Sequence, residues 1–159
     1  MKTTPDFSSF KLIYDAGQPQ VMWTEIVADL ETPVSAMLKL AAKKPNSFLL
    51  ESVEGGALRG RYSIIGYAPD LVWRCFPGGA EINRTALHDE NSFVPCPIAA
   101  ESGVLESLRS LVKACRFDLP AHLPPMASGL VGYMAYDMAR LAENLPDENT
   151  DTIGVPDSI

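Results

Sequence analysis

Residues 48–67 read FLLESVEGGALRGRYSIIGY. Phe48, Leu49 and Leu50 open an apolar run that turns polar at Glu51 and Ser52, and Gly55-Gly56 follows as a turn or bulge. A second β-rich run covers 62–67. Two more, at 71–76 and 80–84, are set off by turns at Ala68-Pro69-Asp70 and Pro77-Gly78-Gly79. Short strands separated by tight turns predict an antiparallel meander. Pairing of the first two strands would bring Leu50, Glu51 and Ser52 to the same end of the sheet as Arg59, Gly60, Arg61, Tyr62 and Ser63. That mixture suits a zwitterionic aromatic amino acid. A carboxylate or hydroxyl receives its ammonium, arginine or backbone N–H groups receive its carboxylate, and an apolar floor takes the ring. The same residues also allow a plainer reading, a Glu–Arg pair that only pins a hairpin.

Upstream, Thr32 is an N-cap and Pro33 fits the first helical position; Val34, Met37, Leu38 and Ala41 then share one face. Lys43 and Lys44 suit the negative end of that helix, and Pro45-Asn46 stops it. Residues 21–30 read as a short strand entering a turn at Asp29. Residues 1–20, broken by Pro5, Gly17 and Pro19, read as a loose leader. Downstream, 86–100 holds two prolines and reads as an exposed connection. A second helix is expected over 102–115, with Leu105, Leu108, Val112 and Cys115 inward and Ser102 as cap. The stretch 118–125 is a proline-rich turn region, and GLVGYMAY, 129–136, reads as a buried strand approached closely by another backbone. One helical turn is expected over 137–141. Residues 146–159 read as an acidic tail with no closing element, which is expected to mark a truncation point. The expected whole is an α+β domain over 21–145, an antiparallel sheet with two packed helices.

Composition narrows the chemistry. The chain has 159 residues, 47% hydrophobic and 21% charged, ordinary globular usage, and a chain of this size is expected to bury about two thirds of its unfolded surface. A net charge of −7 argues against nucleic acid or an anionic membrane as partner, since neither offers counter-charge. Three cysteines without a CxxC pair give no disulfide framework and no zinc spacing. His88 and His122 stand far apart without the neighbours that a catalytic triad needs, so no catalytic residue is assigned. The run Asp147-Glu148-Asn149-Thr150-Asp151 lacks the glycine and final glutamate of a calcium loop, and no metal ligand is assigned. Gly55, Gly56 and Gly60 do not open a helix after a strand, so neither a P-loop nor a dinucleotide fingerprint is present. No apolar run reaches the ~18 residues of a membrane helix, and MKTTPDFSSF has no signal-peptide core. A reduced, cytoplasmic setting is expected.

Four segments together resemble the amino-terminal domain of anthranilate synthase component I, of the chorismate-binding enzyme family. They are Asp29-Leu30-Glu31-Thr32-Pro33-Val34, Phe48-Leu49-Leu50-Glu51-Ser52, Gly60-Arg61-Tyr62-Ser63-Ile64-Ile65-Gly66, and Gly129-Leu130-Val131-Gly132-Tyr133 followed by Tyr136-Asp137. The first and last recur in aminodeoxychorismate synthases of folate biosynthesis; the middle two are more specific. The resemblance implies a parent lyase of tryptophan biosynthesis that makes anthranilate and pyruvate from chorismate. It would use ammonia from a glutamine amidotransferase partner, and magnesium. Tryptophan would be the feedback inhibitor, bound at Leu50, Glu51 and Ser52 and at Arg59, Gly60, Arg61, Tyr62 and Ser63. The chorismate and magnesium site and the second wall of the inhibitor pocket belong to a carboxy-terminal domain whose motifs do not occur in this sequence. The fragment is therefore expected to be inactive and to hold no cofactor. The other readings are a fragment of aminodeoxychorismate synthase component I of folate biosynthesis, a free-standing amino-acid-binding module and a docking domain for the amidotransferase.

Overall fold

The structure is a computed structural model that describes residues 2–51, 62–146 and 150–159. Ser52, Arg59, Gly60 and Arg61 lie outside the described residues, as does the turn at Gly55-Gly56. Two α-helices come first, α1 (Phe7–Asp15) and α2 (Pro33–Ala41). The strands β1 (Phe48–Glu51), β2 (Ser63–Gly66), β3 (Val72–Phe76), β4 (Gly79–Asn83) and β5 (Val94–Pro95) follow. Helices α3 (Pro97–Ser102) and α4 (Val104–Ala114) come next, and a 3-10 turn at Tyr136–Leu141 takes the place expected for one helical turn.

The α+β class and the antiparallel pairing hold, but the single meander divides into two sheets. Among the described residues β1 pairs only with β2, and β3, β4 and β5 form the other sheet. The separation falls at the link 67–71, where Ala68 adopts φ 52°, a left-handed conformation that side chains rarely take. β3 does not pair with β2. In the larger sheet, Pro77-Gly78 joins β3 and β4 with Phe76 opposite Gly79. β5 was not anticipated, because Pro95 removes a donor; it lies at a sheet edge, where that loss is tolerated.

Helix α2 starts as its sequence demands. The Thr32 side chain accepts from Ser35 N at 3.1 Å while Thr32 N donates to Ser35 Oγ at 2.9 Å, a reciprocal cap, and Pro33 opens the helix. Its apolar face is less covered than expected, for Ala41 is buried whereas Val34 and Leu38 are exposed. The stretch 86–100 is not wholly a connection either: Pro97 is the first residue of α3. Gly103, at φ 89°, separates α3 from α4. Ser102 therefore ends α3 rather than capping α4.

Residues 1–20 are more than a loose leader. Asp6 caps α1 by accepting from Ser9 N at 3.0 Å, and Thr4 and Trp23 exchange backbone hydrogen bonds of 2.9 and 2.8 Å. That bridge stands where a strand over 21–30 was expected. Residues 146–159 also differ from a bare tail. Cys75 N donates to Ser158 O at 2.8 Å and Asp157 N to Cys75 O at 2.8 Å, so the segment lies against the free edge of β3. On its other side Ala135 N donates to Asp157 O at 2.7 Å and Tyr133 N to Ile159 O at 3.0 Å. The GLVGY segment thus pairs at the outer rank of the sheet rather than as a buried strand. The expected close approach falls at Gly132, where a Cβ would lie 1.8 Å from the Ile159 carbonyl oxygen.

The core sits on one face of β3–β5. Trp73, Cys75, Ala80, Ile82 and Cys96 alternate onto that face and pack with Leu111 of α4. Trp73 Nε1 donates to Ser107 Oγ at 3.2 Å, and that hydroxyl donates to Val104 O at 2.7 Å, so the buried indole keeps its polar atom satisfied. On the opposite face Arg74 pairs with Glu81 at 2.7 Å, with its guanidinium 3.6 Å from the Phe93 ring centre. The whole chain exposes 12,259 Å², whereas a folded monomer of this mass exposes about 7,800 Å² and its extended chain about 25,000 Å². About half of the unfolded surface is therefore buried, not two thirds.

Candidate functional site

The strand pairing posited for the site is present. β1 runs antiparallel to β2 with Leu50 opposite Ile64 and Glu51 opposite Ser63. Cross-strand partners share a face and neighbours alternate. Glu51 and Ser63 therefore stand together on one face, with Leu49 and Ile65. Leu50 stands on the other, with Phe48 and Gly66. On that second face the Phe48 ring covers Gly66 so closely that a Cβ there would lie 2.1 Å from a ring carbon. Glu51, Tyr62 and Ser63 are all exposed. Sequence reasoning grouped Leu50, Glu51, Tyr62 and Ser63 at one end of the sheet. The structure keeps them at that end and distributes Leu50 and the Glu51–Ser63 pair to opposite faces.

The Leu50 face opens onto a cavity of ≈ 610 Å³ between the hairpin and the larger sheet. Its hairpin wall is Phe48 and Leu50, with Asn46 and Ser47 at the rim; its base is Leu71, Val72 and Trp73. Leu108, Leu111 and Val112 of α4 close one side, and residues 130–134 with Ser158 and Ile159 close the other. The volume lies in the range of small-molecule sites, and the few polar groups among apolar walls are what such sites use to orient a ligand. Ser158 Oγ is committed, donating to Tyr133 O at 2.8 Å, and the Tyr133 hydroxyl donates to Pro156 O at 2.8 Å. These bonds hold one wall of the cavity in place.

Of the cavity residues, only Leu50 was assigned to a ligand site from the sequence. The α4 side chains were read only as a helix's inward face and GLVGY only as a packing strand. Their convergence on Leu50 depends on contacts across more than fifty residues, for which short-range pattern carries no signal. Helix α2 packs against both strands of the hairpin, and just beyond it Lys44 Nζ lies 4.2 Å from the Tyr67 ring centre. Among the described residues, no group of three or more His, Cys, Asp or Glu could hold a metal ion. No described helix is long and apolar enough to cross a membrane.

This geometry defines a class: an α+β module with one self-sufficient sheet, and a hairpin that presents an apolar cavity on one face and a carboxylate–hydroxyl pair on the other. No family model matches the chain. Curated relatives do. Anthranilate synthase component 1 of Cereibacter sphaeroides is 48% identical over 153 residues, covering 96% of this chain and 30% of that protein. The protein of the same name from Thermus thermophilus is 40% identical over 133 residues, 82% of this chain and 25% of that one. The one from Mycobacterium bovis is 34% identical over 159 residues, 100% of this chain and 30% of that one. The chain belongs with the amino-terminal part of anthranilate synthase component 1, and it spans less than a third of the length of these relatives.

Proposed function

We propose that this chain is the tryptophan-sensing portion of an anthranilate synthase component 1. The complete enzyme would be a lyase that turns chorismate, with ammonia from a glutamine amidotransferase subunit, into anthranilate and pyruvate. The match to a protein of that name at 48% identity across 96% of the chain carries the reading. The hairpin supports it, since its register sets the Glu51 carboxylate beside Ser63.

In this reading Glu51 and the Ser52 hydroxyl receive the ammonium of L-tryptophan, and Arg59, Arg61 and nearby N–H groups receive its carboxylate. The indole takes apolar surface at the hairpin end beside Leu50 and Tyr62, against the rest of the enzyme. Tryptophan lowers activity because it binds the less active arrangement of the enzyme more tightly than the active one, and it shifts the equilibrium by that difference alone. Magnesium belongs to the complete enzyme; the described residues supply no ligand cluster for it, and no step runs through it. The chain by itself contributes regulation and not catalysis.

The test is Ser52→Ala in the complete protein, with anthranilate formation followed at rising L-tryptophan. Loss of a hydrogen bond to a charged group, ~1.5–3 kcal/mol, should raise the inhibitory concentration about ten- to a hundredfold and leave uninhibited turnover unchanged. Inhibition identical to that of the unaltered protein would contradict the assignment. Formation of aminodeoxychorismate in place of anthranilate would move the protein to the folate-pathway relative.

A further inference from the structure

Beyond tryptophan sensing, we propose that a pocket at the carboxy-terminal end of α4 binds an aromatic monocarboxylate, with the Arg116 guanidinium on its carboxylate. The pocket follows from two local stops in the chain. Cys115 caps α4, its N–H donating to Leu111 O at 3.0 Å, and Arg116 N donates to Lys113 O at 3.3 Å. The proline-rich stretch then folds back. Leu123 N donates to Pro120 O at 2.9 Å, and a 3-10 turn at Pro125–Ala127 delivers Ser128 to the same pocket as the helix end. Between these segments lies a cavity of ≈ 290 Å³, at the small end of the range for small-molecule sites.

The lining selects the ligand. Among the described residues that line the pocket, Phe117, Leu119 and Leu130 are apolar, and Arg116 carries the one charge. No ion pair among the described residues takes Arg116. Its guanidinium keeps its fork of donors for a guest, and a single carboxylate matches that fork with two parallel bonds. The Ser128 hydroxyl adds a further donor. An arginine–carboxylate pair in open water contributes little, so the apolar walls must hold the rest of the guest, and Phe117 offers a ring for a second ring to pack on. The Leu111 and Lys113 carbonyls, which would repel an anion at a helix end, already accept from the Cys115 and Arg116 N–H groups.

Cys115 reports occupancy, because it lines the same pocket and is exposed, whereas Cys75 and Cys96 are buried. The test follows alkylation of Cys115 by iodoacetamide in the complete protein, resolved by peptide mass spectrometry, with and without benzoate. Saturating benzoate should slow it about tenfold or more, since a site of this kind buries most of its ligand; the neutral benzamide should not slow it. In Arg116→Gln the protection by benzoate should vanish, and in Ser128→Ala the half-protecting benzoate concentration should rise severalfold. No slowing by benzoate overturns the proposal, as does equal slowing by benzamide or slowing that persists in Arg116→Gln. A Cys115 that resists iodoacetamide with no ligand added shows the pocket closed in the complete protein and overturns it too. Tryptophan sensing is read separately by the Ser52→Ala inhibition assay, so either reading can fail without the other.

Discussion

The two sheets of this molecule are built on different terms. The β3–β5 sheet with α3 and α4 holds the whole of the principal core cluster, from Trp73 to Leu111. Among its described residues the β1–β2 hairpin with α2 has one buried hydrophobic residue, Ala41, and leaves Val34, Leu38 and Leu50 exposed. The first unit satisfies its own apolar surface. The second has its backbone paired but its side chains uncovered, and an isolated hairpin is marginal in water. The proposed regulatory site lies on the second, the less buried of the two, and ligand-binding elements are commonly drawn from the less stable parts of a fold.

The largest expected effect breaks the comparison at its strong end. Trp73→Ala should destabilise chain 1–159 by ~3–5 kcal/mol in denaturant unfolding, the cost of emptying a packed aromatic site. Leu50→Ala should change the same chain by only about 0.5 kcal/mol or less, as an exposed position does. In the complete protein the Leu50→Ala cost should rise to ~2 kcal/mol; a cost that stays small there would show that nothing covers the hairpin. Gly66→Val should cost about 1–3 kcal/mol by forcing the Phe48 ring from its place, measured as loss of hairpin protection in hydrogen exchange. Ser107→Ala leaves the Trp73 N–H without its acceptor and should cost about 1 kcal/mol, read by thermal unfolding and tryptophan fluorescence.

Titration offers the subtlest contrast. Burial first, and the nearby Asp157 second, push the Cys75 thiol above its ordinary value. The native state therefore favours the neutral thiol. Its contribution is complete below the unfolded value of about 8.5 and is lost as pH rises through the folded one. Stability of the β3–β5 unit should fall on the alkaline side, and less so in Cys75→Ala. At the exposed amino-terminal end the sign is opposite. The backbone N–H of Ser9 holds the Asp6 carboxyl below its ordinary range, so the cap of α1 is present above the ordinary carboxylate value and is lost as pH falls through the folded one. Circular dichroism at acid pH should show slight loss of helix, absent in Asp6→Asn.

What the sequence disclosed follows the same divide between local and distant causes. The Thr32-Pro33 start of α2 and the Pro77-Gly78 turn were legible because cap and turn chemistry act within four residues. Helix α1 was missed because Pro5 and Gly17 were read as breakers, when they are its punctuation. Pro5 stands just before the Asp6 cap, and Gly17, at φ 65°, accepts the left-handed turn past the last residues. Pro95 and Pro97 misled in the same way, one lying on an edge strand and the other opening α3. The facing of Glu51 and Ser63 could be read from alternation once the hairpin was posited. The division into two sheets could not, since it depends on Ala68 taking an unusual backbone conformation and on residues 156–159 reaching back to β3.

If the hairpin end is half of a tryptophan site, calorimetric titration of L-tryptophan should show saturable binding by the complete protein, weakened by Ser52→Ala, and little or none by chain 1–159. Equal affinity in both proteins, or no binding by the complete protein, would contradict it.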